Sequence, residues 1–185
     1  MVAIAEPLPN TRKQFAKSFN VDDSLVFNTW QDLYAASTET LSTTGKRLAD
    51  ALIVAVQDRM HLEVTTAFAK QGYHILCEKP MATSVEECIK MEQVIKQTGV
   101  IFGMGHGKHR LVVIMLLSLT DNVVLRYTPY FQQIDKIVSS GELGELVNVV
   151  HVEPVGYYHF AHSYVRGNWG EENKSSFSLM TKSCQ

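Results

Sequence analysis

The sequence lacks any long hydrophobic run. Its greasiest stretch, Leu111-Val112-Val113-Ile114-Met115-Leu116-Leu117, falls far short of the ~20 residues a membrane helix needs. It also lacks a charge excess. The 17 Lys and Arg against 19 Asp and Glu leave a net charge of −2, so nothing points to a nucleic-acid or anionic-membrane partner. Cysteine is sparse: Cys77, Cys88 and Cys184 are odd in number and not in metal-ligand spacing, which excludes a disulfide scaffold and suits a reducing compartment. Met1-Val2-Ala3-Ile4-Ala5 runs into Glu6-Pro7 without a basic leader, so no signal peptide is expected and a cytoplasmic location is. None of the seven histidines forms an HExxH pair, and no Ser or Cys sits in a nucleophile elbow, so neither a metal site nor a serine-type nucleophile is expected.

What is present is an alternation of short apolar runs and amphipathic segments. The 185 residues suffice for one domain, or one and a piece. Val2–Ala5 is a strand stub. Asn10 is placed to cap a helix through Phe19, with Phe15, Ala16 and Phe19 on one face. Leu25–Phe27 is a short strand and Trp30–Ala36 a short helix. Ala51–Val56 is continuously apolar, as a strand covered on both faces reads. A helix spans Met60–Gln71 and stops at Gly72. His74–Cys77 is the next strand, and Ser84-Val85-Glu86-Glu87 is a capping box for a helix to about Thr98. Val100–Phe102 is a further strand. Strands separated by single helices predict parallel βαβ units in a doubly wound α/β sheet.

Beyond Gly103 the alternation breaks. Gly103-Met104-Gly105-His106-Gly107 reads as a loop with loose turn glycines rather than a phosphate cradle. Pro129 suits the first turn of a helix ending near Gly141. Leu146–Glu153 alternates like a strand, Gly156–Gly170 is loop-like, and Ser175–Cys184 has the composition of a helix start.

Candidate chemistry concentrates at strand ends, where open α/β sheets bind ligands. Glu78-Lys79-Pro80 closes the His74–Cys77 strand. Pro80 lacks an amide donor and biases Lys79 to an extended shape, which aims Lys79 into the crevice above the sheet. Glu6 closes the first strand, where an acid accepts hydrogen bonds from ribose hydroxyls; taken alone, it reads as a solvated glutamate. His61 opens a helix one strand earlier and either lines the same crevice or caps that helix. No glycine-rich turn lies ahead of Glu6 within this sequence, although a dinucleotide site needs one about 20 residues before its ribose-binding acid.

Glu6-Pro7, Ala51-Leu52-Ile53-Val54-Ala55, His61 and Gly72-Tyr73-His74-Ile75-Leu76-Cys77-Glu78-Lys79-Pro80-Met81-Ala82 resemble the glucose–fructose oxidoreductase/inositol dehydrogenase (Gfo/Idh/MocA) family. Leu125-Arg126-Tyr127-Thr128-Pro129, Ser140–Gly144 and His162–Trp169 add to the likeness, which spares only Gly107–Asn122. The Glu-Lys-Pro turn is the specific motif. The resemblance implies an NAD(P)-binding Rossmann domain followed by an α/β domain that builds the substrate wall and often an oligomer interface. It implies hydride transfer to or from a sugar, cyclitol or related polyol. By position, Lys79 contacts the nicotinamide ribose and the substrate hydroxyl, Glu6 holds the adenosine ribose and favours NAD over NADP, and Glu78, Pro80 and His61 line the nicotinamide end.

Three departures accompany the resemblance. The opening strand and glycine-rich turn are missing, Gly107–Asn122 is foreign to the pattern, and the family's helix with an acid and a histidine facing the substrate would follow Gln185. The expected organisation is a truncated NAD(P)-binding domain over 1–106, an atypical insertion over 107–122 and the beginning of a C-terminal domain over 123–185. Two other readings stand beside an impaired dehydrogenase. One is a non-catalytic interaction module, homo-oligomeric or paired through the sheet edge left by the missing strand. The other is a relative that uses NAD transiently to cleave a glycosidic bond.

Overall fold

The computed structural model describes residues 1–105, 129–150, 152, 154–171 and 175–176. The expectations for Gly107–Asn122, for Leu125–Thr128 and for most of Ser175–Cys184 lie outside the described residues. The chain forms two compact units. The first comprises Met1–Val56, Met60–Cys77 and Ser84–Gly103; the second comprises Gln57–Arg59, Glu78–Thr83 and Met104–Gln185.

In the first unit the predicted alternation is realised as a Rossmann-like arrangement of parallel strands and helices, with the strands in two sheets. β1 (Ile4–Ala5) runs parallel to β2 (Val26–Phe27), Ile4 opposite Val26 and Ala5 opposite Phe27. β3 (Ala51–Val54) runs parallel to β4 (His74–Cys77), Ala51 opposite His74 and Val54 opposite Cys77. β5 (Phe102–Met104) lies on the other side of β4, giving the order β3-β4-β5.

Local chemistry accounts for the helix limits. α1 (Pro9–Ser18) starts at Pro9, not after an Asn10 cap. Proline needs no amide partner in a first turn and its φ is already helical. α2 (Trp30–Thr44) runs well past Ala36. A capping box starts it, with Thr29 Oγ1 accepting from Asp32 N and Asp32 Oδ2 accepting from Thr29 N. The hydroxyls of Thr38, Thr40, Thr43 and Thr44 donate to carbonyls four residues back, which satisfies them within the helix at a slight cost to its backbone ladder. Gly45, at φ 69°, ends it. α3 (His61–Lys70) follows one tight turn over Asp58–Met60. α4 (Val85–Thr98) opens as expected, with Ser84 Oγ accepting from Glu87 N at 3.2 Å. Before β2, Ser24 donates to the Asp22 carboxylate through Oγ (2.6 Å) and N (2.9 Å), and these bonds hold that carboxyl below its usual pKa. The small stabilisation from the turn is therefore present at neutral pH and is lost as pH falls through the lowered value.

The core lies where α3 packs on β3, β4 and α4. Val54, Ile75 and Cys77 are buried together with Val64, Phe68, Ala69 and Met91. Phe68 is flanked edge-on by Tyr34 and Tyr73, each at 5.4 Å between ring centres. The Tyr73 hydroxyl donates to Ser37 Oγ (2.7 Å), because the Ser37 hydrogen goes to Gln71 Oε1 (2.7 Å), and it accepts from Leu48 N (3.1 Å). The apolar run through β3 is not covered on both faces as expected. Val54 is buried, whereas Ile53, which points to the other face of the strand, is 45% exposed.

Thr65 is fully buried in α3 and its hydroxyl has no hydrogen-bond partner. A buried polar group without a partner costs roughly 1–3 kcal/mol. Thr65→Val is therefore expected to leave stability unchanged or to raise it by up to that amount, read as the midpoint of urea unfolding; a lowered midpoint would show that the hydroxyl is used.

In the second unit α5 (Pro129–Ser140) matches the expected helix. The strand expected over Leu146–Glu153 is not formed at Leu146–Val150, which is exposed and irregular. Alternation shapes two faces, but a strand exists only with a partner for its backbone, and among the described residues this segment has none. The loop expected over Gly156–Gly170 is instead wound into helical turns: α6 (Tyr157–Phe160), a wide turn over Ala161–Val165 and a tight turn over Asn168–Gly170. Ring pairs four residues apart, Tyr158–His162 and Phe160–Tyr164, hold them. That spacing is a helical signal, outweighed in the sequence reading by the local glycines.

Candidate functional site

β4 delivers the main candidate. Its last residue, Cys77, is buried, and the chain leaves it through exposed Glu78, half-buried Lys79 and buried Pro80. The Lys79–Pro80 peptide bond is cis. Gly105 lies against this turn. A β-carbon on Gly105 would fall 2.9 Å from Glu78 Oε2, the movable end of an exposed side chain, and 3.2 Å from Glu78 Cα, a backbone contact tighter than most real β-carbons make. Gly103, its companion in the supposed loose loop, is instead the middle residue of β5. Gly105 is thus a close-approach residue that the sequence reading passed over; its only sequence signal was its place just past a strand.

Gly105→Ala is expected to displace the Glu78–Pro80 turn and to perturb the amide resonances of Glu78–Ala82, at a cost of about 1–3 kcal/mol for the overpacked contact. Unchanged resonances would show that the turn is not held by this glycine.

Glu6 follows β1 directly and is half-buried. Its Oε1 accepts from Leu8 N at 2.8 Å, so the carboxylate partly serves the entry to α1. Arg12 Nη1 donates to the Glu6 carbonyl at 2.6 Å, which fixes the backbone of the same turn. Oε2 faces no recorded partner among the described residues, and a carboxylate oxygen so placed suits a hydroxyl donor.

His61, the first residue of α3, is 1% exposed. Its Nε2 lies 3.0 Å from the Val56 carbonyl. A carbonyl only accepts, so Nε2 carries the proton and the ring ties the start of α3 to the chain leaving β3.

In the second unit the turn before α3 supplies a group missed by sequence reasoning. Asp58 is buried, and its Oδ2 accepts from Trp169 Nε1 at 3.0 Å and from Ser176 N at 3.3 Å. Nothing local marks Asp58, since its partners lie more than a hundred residues further along. Away from all these residues, α2, α3 and α4 enclose a shallow groove of about 620 Å³ lined by Trp30, Tyr34, Leu62, Thr66 and Val94. It contains none of the strand-end groups. Among the described residues no three His, Cys, Asp or Glu side chains are grouped to hold a metal ion, and no helix is long and apolar enough to cross a membrane.

Known proteins are similar to this chain in sequence and in fold. The 2,7-anhydro-N-acetylneuraminate hydratase of Escherichia coli K12 is 29% identical over 104 residues, 56% of this chain and 23% of its own length. The 1,5-anhydro-D-fructose reductase of Ensifer adhaerens is 37% identical over 57 residues, 31% of this chain and 17% of its own. Among solved structures, an inositol dehydrogenase homolog from Azotobacter vinelandii, complexed with NADH and myo-inositol, superimposes with a TM-score of 0.59 at 20% identity, over 78% of this chain and 33% of that one. The chain therefore spans only 17–33% of the length of these relatives. Residues 1–106 match GFO_IDH_MocA, the oxidoreductase family with an NAD-binding Rossmann fold, and this chain belongs to that family.

Proposed function

We propose that this chain carries the nucleotide-binding part of an oxidoreductase that moves a hydride between NAD and a carbon of a sugar, cyclitol or related polyol. The observation that carries this reading is the Glu78-Lys79-Pro80 turn at the carboxyl end of β4, braced by Gly105. Bound NAD would supply the ring that accepts or returns the hydride. Lys79 would contact the nicotinamide ribose and exchange a proton with the substrate hydroxyl, work suited to a positioned amine. Glu6 Oε2 would accept from the adenosine ribose diol, which favours NAD over the 2′-phosphorylated NADP. Glu78 and Pro80 would line the nicotinamide end, and His61 would act by tying the start of α3 to the chain leaving β3.

The fit is uneven along the cofactor. The two ribose ends have residues to meet them, but no helix start among the described residues carries the glycine-rich turn that would cradle the diphosphate. The chain is therefore expected to bind NADH more weakly than micromolar, with amide shifts at Glu6–Leu8 and Glu78–Ala82, and Glu6→Gln is expected to remove the first set only. Micromolar affinity would overturn the weak-binding reading. The absence of shifts at both segments in millimolar NADH would overturn the nucleotide reading itself.

A second reading shares the cofactor. The Escherichia coli relative is named a hydratase of an anhydro sugar, which supports a reaction that opens a sugar ether with no net change in NAD. Product formation from such a sugar at constant NADH absorbance would favour it.

A further inference from the structure

We infer that the groove between α2, α3 and α4 binds a small organic anion with a flat apolar body, such as an aromatic carboxylate. This site is separate from the nucleotide reading, since none of the strand-end residues lines it. Helical spacing builds its shape. Leu62, Thr66, Ala67 and Lys70 recur along one stripe of α3, and the small Thr66 and Ala67 at its centre leave a low floor. Trp30 and Tyr34, one turn apart on α2, form one wall; Lys90 and Val94, one turn apart on α4, form the other. The Trp30 and Tyr34 rings meet edge-on at 6.4 Å, and Tyr34 meets buried Phe68 at 5.4 Å, so the aromatic wall is braced from the core. From Leu62 to Lys70 the trough runs about 12 Å, or roughly two helical turns. Its volume of about 620 Å³ falls within the roughly 300–1,000 Å³ of small-ligand sites. Two turns offer too little surface for a stable protein partner, which needs on the order of 1,000 Å².

Charge and an unmet hydrogen bond select the anion. Lys70 and Lys90 both line the groove. On the same helix as Lys90, Lys96 pairs with Glu92 at 2.8 Å, whereas among the described residues neither Lys70 nor Lys90 has a carboxylate partner. Glu63, also in the lining, offsets one of the two charges and leaves the groove net positive. The third group is Trp30 Nε1, which is buried and has no acceptor. A buried indole N–H ordinarily finds one. An anionic oxygen in the groove can accept that hydrogen after a modest turn of the ring, while the two ammonium groups supply charge-assisted bonds. The flat body then lies over Thr66 and Ala67, between the aromatic wall and Val94. A cation would meet like charge from both lysines, and an apolar ligand without an acceptor would leave the indole N–H unmet.

The test titrates naphthoate into the full chain, with neutral naphthylmethanol and cationic naphthylmethylamine as isosteres. Naphthoate is expected to bind more tightly than either by roughly tenfold, the worth of hydrogen bonds to a charged group. It is also expected to shift the Trp30 indole N–H resonance downfield and to move the amides of Leu62–Lys70 and Lys90–Val94. Lys70→Met combined with Lys90→Met, at two exposed positions, is expected to bring naphthoate to the affinity of naphthylmethanol with the circular dichroism of the chain unchanged. Glu63→Gln is expected to tighten naphthoate binding, and Ala67→Phe, which fills the floor, to block it. Equal affinity for the acid and the alcohol would overturn the proposal, as would an acid preference that survives loss of both lysines. So would an unmoved Trp30 indole resonance, or shifts centred on exposed Ile53 or Leu146–Val150 in place of the groove. Every readout is made without NADH, so failure here and failure of the nucleotide reading are separate results.

Discussion

Phe68→Ala is expected to remove about 3–5 kcal/mol of folding free energy. Phe68 is 1% exposed and sits at the centre of three edge-packed rings. Truncation would leave a cavity between α2, α3 and the start of β4, and it would remove both edge-to-face contacts. The polar bonds above the cavity depend on the position of Tyr73, whose hydroxyl joins Ser37 to the Leu48 amide. Domains of this size are stable by only about 5–15 kcal/mol, so such a loss takes up a large share of the folding free energy. The variant is therefore expected to be largely unfolded at physiological temperature, with a urea midpoint lowered by more than 1 M if m is about 1–3 kcal/mol per molar. A loss below about 1 kcal/mol would mean that the three rings are not the core of the unit.

Lys79→Met has the largest expected effect on chemistry. If Lys79 exchanges the substrate proton, its loss removes general acid–base catalysis worth about 10²–10⁴ in rate. Methionine keeps most of the length and apolar stem, so folding and the Pro80 turn should survive. Lys79→Arg is expected to fare little better, since guanidinium keeps its charge at any working pH. The measurement is NAD reduction with a panel of cyclitols and sugars. Where turnover falls below detection, the NADH-induced shifts at Glu78–Ala82 report the same contact and are expected to shrink. Lys79→Met with unchanged rate and unchanged shifts would take Lys79 out of the site.

Much of the first unit was legible in the sequence because its signals are local. Ser84 and Glu87 announced α4, Gly72 and Gly99 adopt the positive φ that ends or follows a helix, and His74–Cys77 is a strand from end to end. Where local signals compete, the reading slipped. The polar run after Ala36 hid the rest of α2, whose threonines satisfy themselves within the helix. The second unit was read less well, since ring stacking at a spacing of four outweighed glycines that otherwise mark loops. The Glu78-Lys79-Pro80 turn and Glu6 were proposed from the sequence because open α/β sheets bind ligands at strand ends. Gly105 and Asp58 were not, because what each touches is set by another element.

The sequence by itself determined the limits of α3 and α4 to within a residue, the parallel βα alternation and the family marked by the Glu-Lys-Pro turn. These depend on neighbours within about four residues, which capping, turn chemistry and periodicity report directly. Only the tertiary structure decided that the strands form two sheets, that Ile53 is exposed in a run that reads as buried, that His61 is buried against Val56, and that Leu146–Val150 forms no strand. Each of these depends on whether a partner from elsewhere in the chain arrives to bond the backbone or exclude water, and an amphipathic pattern records the readiness for such a partner but not its presence.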